Sequence, residues 1–299
     1  MNTNTLSILP VRLGAVPIVN HYLKKLDIES LIRENVAHDS RDKIPVYKTL
    51  SIILRNIILE RHPLYEIGEW ALKRNLIHHS LSDCMTDDRI GRALDRLFRS
   101  DRATLITKAV LKAINTYNIS TDRVHNDSTS VTLYGDYKGY ADTKASKPKR
   151  GFNKDFRPDL KQLVYSLTVS ADGAIPLYFK VWDGNVTDDT THMRNWMSLR
   201  NLLGKSNFTY VADSKFCVRE SMLFVDSEGG RFVTVLPETR SEITRFKEWI
   251  QTHTPQWRES INMENPRGKM LPRKIFWTFD SPFCSSEGFR IVWIKSSLK

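Results

Sequence analysis

The pattern of apolar and polar positions divides the chain into a helical first part and a strand-rich second part. Over residues 1–119 the apolar side chains recur at helical spacing, as in the run 50–58, where positions 50, 53, 54, 57 and 58 are apolar. From residue 124 the spacing and composition become those of strands, beginning with a run over 124–134 that is rich in Val, Thr and Leu. The segment 117–122 between the two parts is interpreted as a linker.

The second part has a regular order of predicted elements. Asp172-Gly173 is a strong hairpin signal between two strand-like runs, and Gly204 is placed to end a helix that begins near Asp188. The predicted strands cover 124–134, 162–170, 174–182, 208–212 and 232–236, and the predicted helices cover 188–203, 215–225 and 241–251. Two further strands are expected at 274–279 and 289–294.

This order (three strands, a helix, a strand, a helix, a strand) is that of the ribonuclease H-like fold, a mixed α/β architecture. The first three strands can form an antiparallel meander, and the last two add through crossovers, which are almost always right-handed. The first and fourth strands are then neighbours at the centre of the sheet. We therefore expect a ribonuclease H-like core after a helical N-terminal region.

Two aspartates become the candidate catalytic residues in this arrangement. Asp127 lies on the predicted first strand and Asp213 at the end of the fourth, 86 residues later. Two close carboxylates repel each other unless a cation lies between them, and Mg²⁺ prefers a few carboxylates plus waters and phosphate oxygens. Each aspartate alone has a simpler interpretation, Asp127 as a turn cap and Asp213 as a cap of the next helix. The pair on adjacent strands favours a metal site that uses Mg²⁺ or Mn²⁺.

The overall charge favours a polyanionic partner. The 299 residues carry a net charge of +11, with a pI of about 9.5, and nucleic acid is a commoner partner of such a chain than an anionic membrane. No run of eighteen apolar residues and no signal-peptide pattern are found, and three widely spaced cysteines indicate no disulfide framework. We expect a cytoplasmic protein associated with the nucleoid.

Two basic segments are candidate phosphate contacts. The segment 138–161 carries eight Lys or Arg against three Asp and separates two predicted strands. The helix after Thr86 carries arginines three or four residues apart, which form either a solvated face or a phosphate-contacting one. The candidate DNA-binding residues are Lys147, Lys149, Arg150, Lys154, Arg157, Arg89, Arg92 and Arg96.

Several motifs in series resemble the DDE-class insertion-sequence transposases of bacteria and archaea that carry a β-rich insertion in the catalytic core. They are Asn126-Asp127-Ser128-Thr129, the run 151–162, the run 183–188 and Val211-Ala212-Asp213-Ser214. The resemblance covers roughly residues 10–250 and implies cut-and-paste DNA transposition, with Asp127 and Asp213 as the first two metal-binding acids. It also implies a DNA-binding region over 1–119, a transposase core over 120–251 and the start of the insertion over 252–299. The expected partners are double-stranded DNA, as element ends and target, and a second copy of the chain on that DNA.

The third acid of that family is a glutamate on a helix after the insertion, within a pattern of Tyr, Arg, Glu and Lys. This chain has no such helix, and we expect it to be the front part of a longer transposase. Glu248 is a rival third acid, because it lies 35 residues after Asp213 on a predicted helix, although its surroundings lack the family pattern.

Three functions remain open from the sequence. The first is a transposase that cleaves and joins DNA strands when complete. The second is a catalytically inactive, truncated DNA-binding fragment or regulator of transposition. The third is a stand-alone nuclease of the same fold, which would need its third acid within this chain.

Overall fold

The computed structural model describes residues 11–137, 145–151, 157–265, 268 and 271–297, without the side chains of 188–190. The chain forms two compact units, Met1–Ser120 and Thr121–Lys299.

The first unit is helical, as the apolar spacing predicted. Its core joins side chains from several helices, among them Leu50, Ile53, Trp70 and the fully buried Ile90. The outer end of the 50–58 run is different, because Ile57 and Ile58 are 53% and 55% exposed and take no part in the core. The helices are α1 (Val16–Lys25), α2 (Ile28–Asn35), α3 (Val46–Leu59), α4 (Ile67–Lys73), α5 (Asp87–Arg99) and α6 (Arg102–Tyr117).

The second unit is built on a five-stranded mixed sheet whose strand order is β3-β2-β1-β4-β5. Strands β1 and β4 are parallel neighbours at its centre, β2 pairs antiparallel with β1 and β3, and β5 lies parallel to β4. The predicted ribonuclease H-like order is confirmed, and the chain is a mixed α/β protein with a helical N-terminal region. The strands are β1 (Arg123–Leu133), β2 (Lys161–Ser170), β3 (Pro176–Asp183), β4 (Thr209–Val211) and β5 (Arg231–Val233).

Helices α7 (Asp188–Leu203) and α8 (Arg219–Ser227) contribute to the aromatic core that covers one face of the sheet. Trp196 of α7 is fully buried and lies 5.7 Å from Phe208 and 5.8 Å from Phe224, measured between ring centroids. The opposite face carries apolar side chains that are largely open, including Phe179 and Val233, which are 39% and 55% exposed. Burial of the first face alone explains the strict alternation of burial along β2.

A helix α9 (Ser241–Thr252) and a three-stranded antiparallel sheet of order β6-β7-β8 complete the second unit. The strands β7 (Lys274–Asp280) and β8 (Val292–Ser296) correspond to the two expected late strands, although β8 begins three residues later than predicted. Strand β6 (Arg258–Met263) was not predicted; it is exposed along its whole length, so burial imposed no alternation on its sequence.

The helix predicted over 215–225 was wrong at its start. A short 3-10 turn (Ser214–Phe216) comes first, Val218 is extended, and α8 begins only at Arg219. The fully buried Phe216 packs between His192, Tyr210 and Phe232, and this packing fixes the turn before the helix.

Within the parts of the chain that the structure describes, no helix is both long enough and apolar enough to cross a membrane.

Candidate active site and nucleic-acid interface

Asp127 lies in the middle of β1, and the strand continues to Leu133. The residues on either side of it, Asn126 and Ser128, are buried, whereas Asp127 is exposed on the open face of the sheet. One carboxylate oxygen accepts the backbone N–H of Ser128 at 2.8 Å. Asp127 therefore belongs to a strand and does not cap a turn.

The parallel register of β1 and β4 has the same sequence offset as Asp127 and Asp213. Each residue of β1 from Arg123 to His125 pairs with the residue of β4 that lies 86 positions later, and Asp127 and Asp213 keep this offset two residues further on. The backbone of β4 also stays attached to β5 beyond its last paired residue, because the Ala212 N–H donates to Val233 at 3.0 Å. The paired residues of the two strands end at His125 and Val211, two positions before the aspartates.

Asp213 is held by its surroundings at the point where β4 ends. Its Oδ1 accepts the backbone N–H of Lys215 at 3.1 Å, so it does cap the short turn that follows. Its backbone carbonyl accepts the Thr234 hydroxyl at 2.6 Å. The same Oδ1 lies 3.9 Å from Nε2 of His192, which α7 contributes, and the carboxylate remains 53% exposed. The capping role and an open carboxylate are therefore present together.

Glu248 is not grouped with these two aspartates. It is exposed on α9, and among the described residues no group of three or more His, Cys, Asp or Glu side chains is arranged to hold a metal ion.

The donor chemistry of Asp127 and Asp213 fits one divalent cation. Carboxylate oxygens are the ligands that Mg²⁺ and Mn²⁺ prefer, and Mg²⁺ takes one or two protein carboxylates with the rest of its shell from water and phosphate oxygens. A shallow cavity of about 320 Å³ on the open face is lined by Asp127 and His125 of β1 together with Leu167, Val169 and Val211.

The basic segment 145–151 is fixed to the far end of the sheet. Lys149 and Gln162 exchange both backbone hydrogen bonds, at 3.2 and 2.9 Å. Asp183 accepts the backbone N–H of Lys147 at 2.8 Å and pairs with the Lys149 ammonium at 2.9 Å. These two contacts, the Lys147 N–H first, lower the pKa of the Asp183 carboxyl. The segment is thus a preformed ledge.

Close backbone contacts hold two of the motif-like runs together at this ledge. The buried Gln162 donates its side-chain N–H to the carbonyl of Gly184 at 2.7 Å. A Cβ on Gly184 would lie 1.9 Å from the carbonyl oxygen of Gln162, and one on Gly151 would lie 2.2 Å from the carbonyl oxygen of Gly184. Only glycine fits at either position. Sequence reasoning included these residues in motifs but gave Gln162 and Asp183 no role.

The predicted DNA-binding residues of the second unit differ in their surroundings. Lys147 and Arg150 are exposed, Lys149 is committed to Asp183, and Arg157 pairs with Asp159 at 2.7 Å. Lys154 lies outside the described residues. Gln162 is five residues along β2 from Leu167, the partner of Asp127, so the ledge lies about 17 Å along the strand from Asp127.

The arginines of α5 also differ from one another. Arg89 and Arg96 both face Asp42, with Arg89 at 3.6 Å, and Arg89 donates to the Ile44 carbonyl at 3.0 Å. Arg92 is exposed, and it lines a small surface depression together with Asp42, Arg89 and Arg96. Three arginines therefore surround one carboxylate, which leaves a local excess of positive charge.

Comparison with known proteins gives a family match for the helical part. Residues 10–111 match a family described as a domain of unknown function, DUF4277. No curated protein matches the sequence.

Among solved structures, the chain is similar to transposases at low identity. A synaptic complex of piggyBac transposase with hairpin DNA matches at 9% identity and a TM-score of 0.43, over 93% of this chain. This chain spans 61% of the length of that protein. A Mos1 transposase paired-end complex matches at 9% identity and a TM-score of 0.26, over 82% of this chain and 92% of that one. A Mos1 mariner paired-end complex with Mn matches at 11% identity and a TM-score of 0.27, over 79% and 88%.

Proposed function

We propose that the chain is the catalytic part of a DNA transposase that uses Asp127 and Asp213 to hold a divalent cation for phosphoryl transfer. The observation that supports the proposal is the pairing of β1 with β4 at the centre of a ribonuclease H-like sheet, with an offset of 86 residues that Asp127 and Asp213 share. A divalent cation held there would supply positive charge for the oxygens of a phosphodiester, and activating the attacking oxygen together with stabilising the leaving oxygen takes a second ion. The chain's own part is to fix both carboxylates through the backbone N–H groups of Ser128 and Lys215.

In this proposal the DNA partner is bound by charge. The exposed Lys147 and Arg150 lie on a ledge about 17 Å along the sheet from Asp127, which corresponds to roughly five base pairs along the axis of B-DNA. The same basic segment includes Lys149, Lys154 and Arg157. In the helical unit the proposed phosphate contact is Arg92, with Arg89 and Arg96 beside it. Two copies of the chain would act together on paired DNA ends.

The DNA interface is tested by the salt dependence of binding to a duplex of defined length. Neutralising Lys147, Lys149, Arg150, Lys154 and Arg157 to Gln should weaken binding and flatten the slope of log K against log salt by several units. A matched control neutralises five exposed lysines and arginines elsewhere, such as Lys295 of β8 and Lys247 of α9. Equal salt-dependence slopes for the two variants would show that the ledge does not contact DNA phosphates.

A second function is a DNA-binding regulator of transposition that does not cleave. The observation that favours it is the lack, among the described residues, of a third carboxylate grouped with Asp127 and Asp213, because positioning two ions normally needs a third acid.

Strand cleavage of supercoiled and linear DNA with Mn²⁺ separates the two functions. Cleavage that is lost in Asp127→Asn and Asp213→Asn supports the catalytic function, and retained DNA binding without cleavage supports the regulator. Cleavage that depends on Glu248, tested by Glu248→Gln, would make that exposed residue the third acid.

A further inference from the structure

A buried histidine lies beside the exposed carboxylate of the candidate site. His192 of α7 is only 2% exposed, and its ring packs edge-on against Phe216 at 5.5 Å and Tyr210 at 6.1 Å between centroids. Neither contact needs an imidazole, since a phenyl ring would fill the same space. The polar atoms of His192 therefore call for a separate explanation.

Both ring nitrogens face polar atoms. Nδ1 lies 3.1 Å from the hydroxyl of Tyr210, within hydrogen-bond distance, whereas Nε2 lies 3.9 Å from Oδ1 of Asp213, which is an electrostatic contact longer than a hydrogen bond. A carboxylate can only accept, so the tautomer with its proton on Nε2 is the one that suits Asp213. Nδ1 is then an acceptor, and the Tyr210 hydroxyl is its donor. Burial raises the pKa of Tyr210 above its ordinary value, so the hydroxyl keeps the proton that it donates.

The chain of contacts runs from the core to the candidate cation site. Tyr210 is fully buried on β4, three residues before Asp213 on the same chain, and His192 reaches Asp213 from the helix that covers the sheet. Asp213 Oδ1 thus has both the Lys215 N–H and the imidazole near it, so a cation would bind through Oδ2. Such support of a metal-binding carboxylate commonly changes metal affinity by about 10–100-fold.

We propose that His192, held in one tautomer by Tyr210, is the positioning residue that orients the Asp213 carboxylate for a divalent cation. The inference rests on the proposed function, because it takes Asp213 as a cation ligand. It predicts that the Nε2–H donor, and not the bulk of the ring, controls cation affinity.

Mn²⁺ affinity of the full chain, measured by electron paramagnetic resonance, tests the proposal without an activity assay. His192→Phe keeps the ring packing and removes the donor, and it should weaken Mn²⁺ binding by about 10-fold or more. His192→Gln can place an amide N–H where Nε2 was, so its Mn²⁺ affinity should lie within about threefold of the wild-type value. The side chain of His192→Asn is shorter and reaches only the position of Nδ1, so this variant should bind Mn²⁺ as weakly as His192→Phe does. Tyr210→Phe should weaken binding less than His192→Phe does, because the imidazole remains beside Asp213 and loses only the Tyr210 hydroxyl that holds its tautomer.

The comparison of variants separates this inference from the proposed function. If Asp213→Asn leaves Mn²⁺ binding unchanged, the cation site itself is wrong. If Asp213→Asn abolishes binding while His192→Phe does not weaken it, only the role of His192 is overturned. If His192→Phe does not fold, the Gln and Asn variants decide: equal affinities for both would contradict the role of the Nε2–H donor.

Discussion

Asp42 pairs with two arginines within the helical unit. Its carboxylate faces both Arg89 and Arg96, and its side chain is 19% exposed. Two guanidinium groups share one partner, so the loss of that partner leaves two half-buried positive charges close together. The arginines that the sequence suggested as DNA contacts therefore have a structural role as well, and Arg92 is the most available of the three for phosphate.

Asp42→Asn should destabilise the helical unit by about 1–3 kcal/mol, because it unpairs two partly buried arginines. Hydrogen exchange of the α5 backbone measures this directly, with faster exchange expected over 87–99. Asp95→Asn is the matched control: it removes an exposed carboxylate from α5 itself and should change the stability of the helical unit by less than about 0.5 kcal/mol. Equal exchange rates in the two variants would contradict the proposed role of Asp42.

The ledge at 145–151 is the element most sensitive to a single methyl group. Gly184→Ala would place a Cβ 1.9 Å from the Gln162 carbonyl oxygen and 2.4 Å from that of Lys149. We expect the ledge to be displaced, the second unit to be destabilised by more than 2 kcal/mol and DNA affinity to fall.

Tryptophan fluorescence follows this effect in urea, because most of the tryptophans lie in the second unit. Gly91→Ala is the control: nothing lies within 4 Å of its added Cβ on α5, and it should stabilise that helix by up to about 1 kcal/mol. A Gly184→Ala protein as stable as wild type, with unchanged DNA affinity, would disprove the close packing of the ledge.

A buried ion cluster joins α9 to the loop between β7 and β8. Arg240 pairs with Glu287 at 2.6 Å and with Glu242 at 3.0 Å, and both glutamate side chains are nearly inaccessible. Arg240 holds the pKa of Glu287 at about 2. Burial acts to raise the pKa of Glu242, but the Ser286 backbone N–H and Arg240 outweigh it and lower the value to about 2.

These depressed values predict a dependence of stability on pH. The ordinary pKa of a glutamate is about 4.3, so the contribution of each residue is complete above about pH 5 and is lost as the pH falls towards 2. The free energy of unfolding of the second unit should fall between pH 6 and pH 3 by roughly 1–2 kcal/mol for each glutamate. Glu287→Gln should reduce this fall, whereas Glu238→Gln, at an exposed position, should leave it unchanged. An identical pH profile in wild type and Glu287→Gln would contradict the assignment.

The sequence was sufficient for the central sheet and insufficient for the contacts around it. Alternation and turn signals located the strands of the sheet to within a few residues, because one buried face imposes a period of two. The offset between Asp127 and Asp213 followed from the order of elements. The turn at Phe216 and the pairing of Arg89 and Arg96 with Asp42 depend on long-range packing, which leaves no local periodicity. Nothing in the sequence around His192 indicated that it would lie beside Asp213.

At the scale of the whole molecule, the chain carries a net charge of +11, and its candidate cation ligands belong to the two central strands of the sheet and the residues that follow them. Positive charge attracts DNA without selecting a reaction, and the carboxylate pair is the feature that would select phosphoryl transfer. The central claim is therefore that Asp127 and Asp213 share a cation. The DNA contacts contribute to a reaction only if that cation is bound.

The most direct test is a crystal structure of the chain soaked in Mn²⁺, with anomalous diffraction used to locate the ion. The account predicts an Mn²⁺ peak bound by an oxygen from each of Asp127 and Asp213, and no peak there in Asp127→Asn or Asp213→Asn. Carboxylates more than about 8 Å apart could not share or bridge the ions of such a site. That separation, or an Mn²⁺ ion bound elsewhere with these two carboxylates unoccupied, would contradict the account.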